Sequence, residues 1–194
     1  MDEFCMQGEK VVIREKRLSD AADDHAWRCD PELAQLDAAT PLRMSFDEYT
    51  RQFNQELEHS SAWSRRFGID NLEGKHIGNC MYYDTDYFRG SAELGILVGD
   101  RDYWGGGYGS EAVKLLLYYM FTEMPMKKVY LHTLDWNHRA QRAFEKCGFK
   151  IIRPVKRGGW EFLYMELTRD RWKELQQEEE DRIARAKAKE ASSS

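Results

Sequence analysis

Apolar and polar positions alternate with two different periods along this chain, and the periods divide it into strands and amphipathic helices. Lys10-Val-Val-Ile-Arg-Glu-Lys-Arg17 reads as a first strand. Ser19 or Asp20 then caps a helix through His25 and Trp27, and Pro31 opens a short second turn of helix. Ser45-Phe-Asp-Glu48 has the capping-box form and precedes a helix to about Glu58. Trp63, Phe67 and Ile69 alternate in a strand from Ser61 to Asp70, and Asn71-Leu-Glu-Gly74 turns the chain back into a strand from His76 to Tyr83. A longer turn, Asp84 to Gly90, leads to the apolar run Leu94, Ile96, Leu97, Val98, a central strand that begins near Glu93. After a glycine-rich turn, Ser110 and Glu111 open a helix with Val113, Leu116, Leu117, Met120 and Phe121 at helical spacing. Lys128 to Leu134 is another strand, and Asn137 to Phe149 a short helix ended by Gly148. Phe149 to Val155 and Trp160 to Leu167 form a last hairpin around Arg157-Gly-Gly159. The order is strand, two helices with a helical turn between them, three strands, helix, strand, helix, two strands. It predicts a mixed α/β (α+β) fold.

From Thr168 the pattern fades. Arg169 to Glu190 is charged and Gln-rich, with Glu178/Arg182 and Asp181/Arg185 at i,i+4 spacing. This is a solvated helix that frays into a disordered tail from Ala191; a partner-binding helix is the sharper alternative and a solvated face the plainer one. The predicted organisation is a folded domain over residues 1–168 and an appendage over residues 169–194.

Composition narrows the function classes. A chain of 194 residues suits one sizeable core. The longest wholly apolar run, Leu115 to Phe121, is too short to span a bilayer, and Met1-Asp-Glu-Phe-Cys carries no secretory pattern, so the expectation is a cytoplasmic protein without a membrane partner. The formal net charge of −5 argues against nucleic-acid binding and is compatible with cationic amines. Cys5, Cys29, Cys80 and Cys147 are scattered, which predicts neither a metal site nor a disulfide framework.

The glycine turn is the candidate for chemistry. Gly105, Gly106, Gly107 and Gly109 permit a sharp turn and close approach of a ligand to the backbone, just ahead of a helix whose first N–H groups have no partner inside it. Such a place suits a phosphate. No Gly-Lys-Ser/Thr follows, and the spacing does not fit the dinucleotide motif. On this turn alone, a phosphate cradle and a purely structural turn are both open.

The second half decides between them. Tyr103-Trp-Gly-Gly-Gly-Tyr-Gly-Ser-Glu-Ala112, paired in order with Asn137-x-x-Ala-x-x-Ala-Phe-Glu-Lys-Cys-Gly-Phe149, resembles the GCN5-related N-acetyltransferases (GNAT). The likeness is to the ribosomal-protein N-terminal (RimJ/RimL-like) and spermidine acetyltransferase branch, and covers about residues 8 to 168. It implies a mostly antiparallel sheet splayed into a V, with helices on both faces. It also implies transfer of an acetyl group from acetyl-CoA to a primary amine in a ternary complex, with no metal. The amine could belong to a protein N-terminus, a polyamine, an aminoglycoside or a small amine. A second copy of the chain is carried as a partner option.

The resemblance assigns the pyrophosphate to backbone at Trp104, Gly105, Gly106, Gly107, Tyr108, Gly109 and Ser110. It assigns the pantetheine arm to Ile96, Leu97 and Val98, and an N–H near Leu97 to the thioester oxygen. Asn137 resembles the asparagine that holds the CoA arm; a helix N-cap is its other role. Arg139, Arg142 and Lys146 are either phosphate contacts or solvated charges. Phe144 stands at the cofactor where many relatives have the tyrosine that protonates the leaving thiolate, and Tyr103, Tyr108, Tyr130 or water are its substitutes. A non-catalytic acyl-CoA-binding sensor or scaffold is therefore the alternative function. An interaction protein working through the charged tail is a third.

The attacking amine must shed a proton, since a primary amine near pKa 10.4 is mostly charged at neutral pH. Glu93 is the first candidate base, ahead of Asp135 and His132. Asp84 and Asp86 are placed to attract a cation. Trp63, Tyr82, Tyr83, Tyr87 and Trp160 could line an amine pocket or simply pack strand faces. Cys147 has no flanking base and reads as a buried spacer before Gly148.

Overall fold

The computed structural model describes residues 4–59 and 61–192. In chain order the elements are β1 (Cys5–Gln7), β2 (Val11–Glu15), a 3-10 turn (Leu18–Asp20), α1 (Ala21–Cys29), α2 (Pro31–Leu36), α3 (Phe46–Glu58), β3 (Arg65–Asn71), β4 (His76–Asp86) and β5 (Ser91–Val98). A second 3-10 turn (Arg101–Tyr103), α4 (Tyr108–Thr122), β6 (Lys128–Leu134), α5 (His138–Lys146), β7 (Lys150–Arg157), β8 (Trp160–Thr168) and α6 (Arg169–Ser192) follow. The strands form one sheet in the order β1-β2-β3-β4-β5-β6-β8-β7. Every neighbouring pair is antiparallel except β5–β6. The predicted fold class is the observed one.

Strand alternation assigns the two faces. Ile13, Phe67, Cys80, Tyr82, Leu94 and Met165 point to the face covered by α4, where Val113, Leu116, Leu117, Met120 and Phe121 meet them. Fully burying such side chains contributes about 1.5–3 kcal/mol each. The other face of β2–β4 carries charge instead. Arg14 donates to Asp20 and Asp70, Lys16 pairs with Asp20 and Asp24, and His76 and Asn79 reach Asp24. All are buried, and together they fasten α1 to the sheet.

Several boundaries move from the sequence expectation. Asp20 occupies the N-cap position of α1 but makes no capping bond, because Arg14 and the Arg17 N–H take its carboxylate. Asp30 caps α2 through Glu32 N and Leu33 N, and Ser45 with Glu48 forms the predicted capping box. β3 begins at Arg65, leaving Trp63 outside it and 60% exposed. β4 runs on to Asp86 through an irregularity after Tyr83, which absorbs half of the expected turn. β1 has only three residues, too few for a period to be seen. It is held by Glu111, whose carboxylate accepts from the N–H groups of Glu9, Lys10 and Val11 at 2.8, 2.7 and 2.9 Å.

The charged C-terminal helix is anchored at its start. Trp172 is buried beside Phe121, and Leu175 packs against Gly148. The helix continues to Ser192; residues 193 and 194 of the expected tail lie outside the described ones.

Candidate active site

β5 and β6 pair over only three positions, Ser91↔Lys128, Ala92↔Val129 and Glu93↔Tyr130. Beyond them β5 stays with β4 as far as Val98, while β6 stays with β8 as far as Leu134. The sheet therefore opens into a V, and a cavity of about 350 Å³ fills the gap. Ile96, Leu97 and Val98 form one wall, α5 the other, and Leu33, Leu36 and Asp37 of the α2 end stand at its side.

Alternation decides which backbone groups face the slot. At one end of β5 the Gly90 carbonyl accepts from Lys128 N, on the β6 side; at the other the Gly99 N–H donates to Ile77 O, on the β4 side. Backbone groups of successive residues point opposite ways along a strand. The odd-numbered groups, Leu97 among them, thus face β4, and Ile96 and Val98 face the slot. The slot-facing amides lie one residue to either side of Leu97, near which the donor is expected. The Leu97 N–H is turned into the β4 ladder, and the amides open to a ligand belong to Ile96 and Val98.

The glycine turn closes one end of the slot. Gly105 (φ 78°) and Gly107 (φ 88°) are left-handed, which favours glycine. Gly107 is the N-cap of α4, which begins two residues earlier than predicted, and no side chain caps the helix. Its first N–H groups are free for an anion. Trp104, Gly105, Gly107, Gly109 and Ser110 line the cavity. A Cβ on Gly109 would come within 3.2 Å of Val98. Gly106 and Tyr108 are not on the cavity wall: Lys10 donates to the Gly106 carbonyl at 2.8 Å and lies 5.7 Å above the Tyr108 ring. The three glycines in a row lack a cation, and Lys10 brings one to the turn from the β1–β2 hairpin. No local motif signals that contact.

Asn137 caps α5, accepting from Ala140 N at 3.2 Å, and also lines the cavity, so both roles suggested for it share one position. Arg139, Arg142 and Lys146 line it too, with no carboxylate paired to any of them among the described residues. The Arg139 guanidinium lies 3.6 Å from the Trp104 ring centroid, and Trp104 in turn donates to the Val98 carbonyl at 2.7 Å. Desolvation lowers the Arg139 pKa from its ordinary value. Phe144 is buried on the same wall. Of the tyrosines suggested in its place, only Tyr103 lines the cavity, where its hydroxyl accepts from Asn71. Burial pushes the Cys147 thiol up to about 11, in keeping with an inert spacer.

The apex of the V holds a second cluster. Glu93 is buried, and its Oε1 lies 2.7 Å from Nδ1 of His132. Two residues considered separately as bases are thus one pair, joined because parallel pairing stops at Glu93. Burial, and then Glu93, raise the pKa of Tyr83 on the neighbouring strand. Tyr130 is pushed up to about 12 by burial, Glu93 and Asp84. Tyr130 therefore belongs to this cluster and not to the Phe144 wall. Asp84 has a left-handed φ of 49° at the β4 irregularity. Asp135 is exposed beyond β6: its N–H donates to the Glu161 carbonyl, its own carbonyl accepts from the Gln141 side-chain amide, and its carboxylate joins neither cluster among the described residues. Asp86 bonds the Arg89 N–H. Of the five aromatics considered for an amine pocket, Tyr83 meets the pair, Tyr82 sits in the core, and Trp63 and Tyr87 pack on each other at the surface. Trp160 pairs with Arg157 at the far end of the β7–β8 hairpin. Among the described residues no group of acidic, His and Cys side chains could hold a metal ion, and no helix is long and apolar enough to cross a membrane.

Comparison with known proteins gives this geometry a family context. Residues 10–150 match the acetyltransferase (GNAT) domain. The chain is 31% identical over 105 residues to the spermidine N(1)-acetyltransferase of Vibrio cholerae, covering 54% of this chain and 59% of that protein. It is 31% identical over 124 residues to the N-acetyltransferase p20 of Bacillus licheniformis, covering 62% and 68%. Among solved structures, the Vibrio cholerae spermidine N-acetyltransferase in complex with CoA and spermine superposes with a TM-score of 0.75 at 21% identity, over 85% of this chain and 99% of that one. Aminoglycoside acetyltransferase AAC(6')-Ib in complex with coenzyme A does so with a TM-score of 0.69 at 22% identity, over 84% and 98%. At these identities the two structures speak for the fold.

Proposed function

Because the chain belongs to the GNAT acetyltransferase family, we propose that it transfers the acetyl group of acetyl-CoA to a primary amine on a polycationic small molecule. The observation that carries the proposal is the slot itself. It joins a capless helix N-terminus, suited to a pyrophosphate, to the slot-facing amides of Ile96 and Val98, suited to an extended pantetheine arm. Arg139, Arg142 and Lys146 add positive charge, paired with no carboxylate among the described residues, for a polyanionic cofactor. One of the two amides would polarise the thioester oxygen and hold the oxyanion. Glu93, Asp84 and Asp37 all act on Tyr83, beside the reacting end of the slot, and an acidic aromatic wall favours a cationic acceptor. The relative named for spermidine supports the same class. Transfer is direct: the amine attacks within a ternary complex, and catalysis comes mainly from positioning. In this reading residues 1–168 carry the chemistry and residues 169–194 serve it only by packing.

Phe144 favours one alternative, a CoA-binding module without turnover, since α5 offers no hydroxyl in place of the missing acid and the Tyr103 hydroxyl of the cavity is engaged with Asn71. Thiol release from acetyl-CoA separates the two. With spermidine, spermine, an aminoglycoside and a short free-N-terminal peptide as acceptors, amine-dependent release is expected with the polycations. Thermal stabilisation by acetyl-CoA without release under any acceptor would favour the module. Neither release nor stabilisation would remove the cofactor and with it the whole proposal.

A further inference from the structure

We propose that His132 is the base that takes the proton of the attacking amine, and that Glu93 is its positioning residue. The inference rests on the acetyl-transfer function proposed above and goes beyond it by assigning the proton. Glu93 is the obvious carboxylate of the slot apex, but it is not free to meet a substrate. Its side chain is 3% exposed against 11% for His132, and its Oε1 is engaged at 2.7 Å by Nδ1 of His132. A carboxylate accepts only, so Nδ1 carries the hydrogen and the neutral ring has its lone pair on Nε2. Among the described residues no group bonds that Nε2, and it is not one of the buried orphan atoms. Glu93 Oε2 also has no hydrogen-bond partner but is sealed from solvent, so Nε2 is the acceptor of the pair that remains accessible.

The surroundings hold the ring in place. Tyr130, Phe162 and Tyr164 stand around the imidazole with ring centroids 6.1, 6.2 and 5.4 Å away. Tyr83 of β4 and Tyr130 both feel Glu93; Asp37 beyond α2 and Asp84 act on Tyr83 as well, and Asp84, Tyr164 and Arg157 of β7 act on Tyr130. Glu93 is the last residue of β5 to pair with β6, and His132 lies just past Tyr130, its partner. The pair therefore sits where the two strands part, next to the cavity but not among the residues that line it, three residues before Ile96 on β5.

The proton balance is complete without another reagent. The ammonium gives one proton to Nε2, forming an imidazolium stabilised by Glu93. The freed nitrogen pair attacks the thioester carbon, and the carbonyl π pair moves to oxygen. Collapse breaks the C–S bond, the thiolate leaves with that pair, and the nitrogen's surplus proton neutralises it through solvent. The imidazolium then returns its proton to water. The products are the N-acetyl amine, CoA and one proton.

The test compares wild type, His132→Gln and Glu93→Gln in the full chain, by thiol release across pH and by acetyl-CoA thermal shift. His132→Gln is expected to lower kcat by about 10²–10⁴-fold with the thermal shift retained. Its rate is expected to climb with pH as free amine accumulates, without the acidic limb of the wild type. Glu93→Gln is expected to lose less in kcat and to mix the Nδ1–H and Nε2–H tautomers of His132, since the carboxylate that fixes Nδ1–H is gone. Nitrogen-15 shifts of His132 are expected to report the Nδ1–H tautomer in wild type. A His132→Gln enzyme with unchanged kcat and limb, or an Nε2–H tautomer, would overturn the assignment while leaving acetyl transfer standing. Wild type silent with every amine would overturn acetyl transfer itself, and this assignment with it.

Discussion

Replacing Arg14 by Met removes one side chain that two buried carboxylates share. The guanidinium spends all five of its N–H groups. Nε and Nη2 donate to Asp70 at 2.7 and 2.6 Å, Nη1 and Nη2 donate to Asp20 at 2.8 and 2.9 Å, and Nη1 donates to the Glu15 carbonyl at 2.9 Å. Gly68 lies directly across from it in β3, and a Cβ there would collide with the guanidinium. Asp20 and Asp70 are 2% and 6% exposed, so neither reaches water once Arg14 is gone. Breaking a buried pair from one side costs about 3–5 kcal/mol, and for a domain of this size each kcal/mol moves Tm by about 2–4 °C. The expected result at pH 7 is a Tm lower by about 10 °C, with an unchanged urea m-value.

The loss has a pH signature. Burial raises the pKa of both carboxylates, but the Arg14 bonds on Asp20, and His76 with Arg14 on Asp70, outweigh it and hold both below the usual carboxylate value. Depressed carboxylates contribute stability that is present above their unfolded value near 3.9 and lost as pH falls through the folded values. The gap between wild type and Arg14→Met should therefore narrow as the pH drops below about 4. Adding Asp20→Asn and Asp70→Asn to Arg14→Met should recover part of the loss, because Lys16 and His76 then no longer have to compensate two buried carboxylates without the guanidinium. A loss under about 1 kcal/mol at pH 7, or one that is constant down to pH 3, would refute the account of this network.

Other consequences are open to measurement. For His76, burial alone would lower the pKa, but Asp24 and Asp70 raise it; the stability this contributes is present in full below about 6.5 and is lost as pH rises through the folded value. His76→Gln should therefore cost less stability on the alkaline side than at pH 6, read by urea titration at both. Glu111→Ala removes three N–H acceptors from the β1–β2 hairpin and should cost about 1–3 kcal/mol, with faster amide exchange at residues 9–11. Phe144→Tyr returns a hydroxyl to the cavity wall, and kcat should rise by about tenfold or more in single-turnover thiol release if expulsion of the thiolate limits the rate. Trp172→Ala should cost about 3–5 kcal/mol, whereas a stop after residue 180 should cost little, which urea unfolding of the two variants would compare.

The features legible in the chain alone are local ones. The periods marked every strand but the three-residue β1, the capping box at Ser45 and the glycines at the α4 start, because each depends on neighbours within a few positions. The two motifs carried the fold, since together they encode a strand–turn–helix and the helix packed beside it. Everything that depends on register and long-range pairing emerges only in the folded chain. The slot amides belong to Ile96 and Val98 because hydrogen bonds at Gly90 and Gly99 orient the whole of β5. Asp20 serves Arg14 rather than a helix end, because β2 brings a guanidinium to it. Lys10 reaches a turn almost a hundred residues away by a hairpin that Glu111 holds. Glu93 and His132 form one pair because a parallel ladder ends beside them. Hydrophobic period records which face a side chain takes, and it holds no information on which other strand that face will meet.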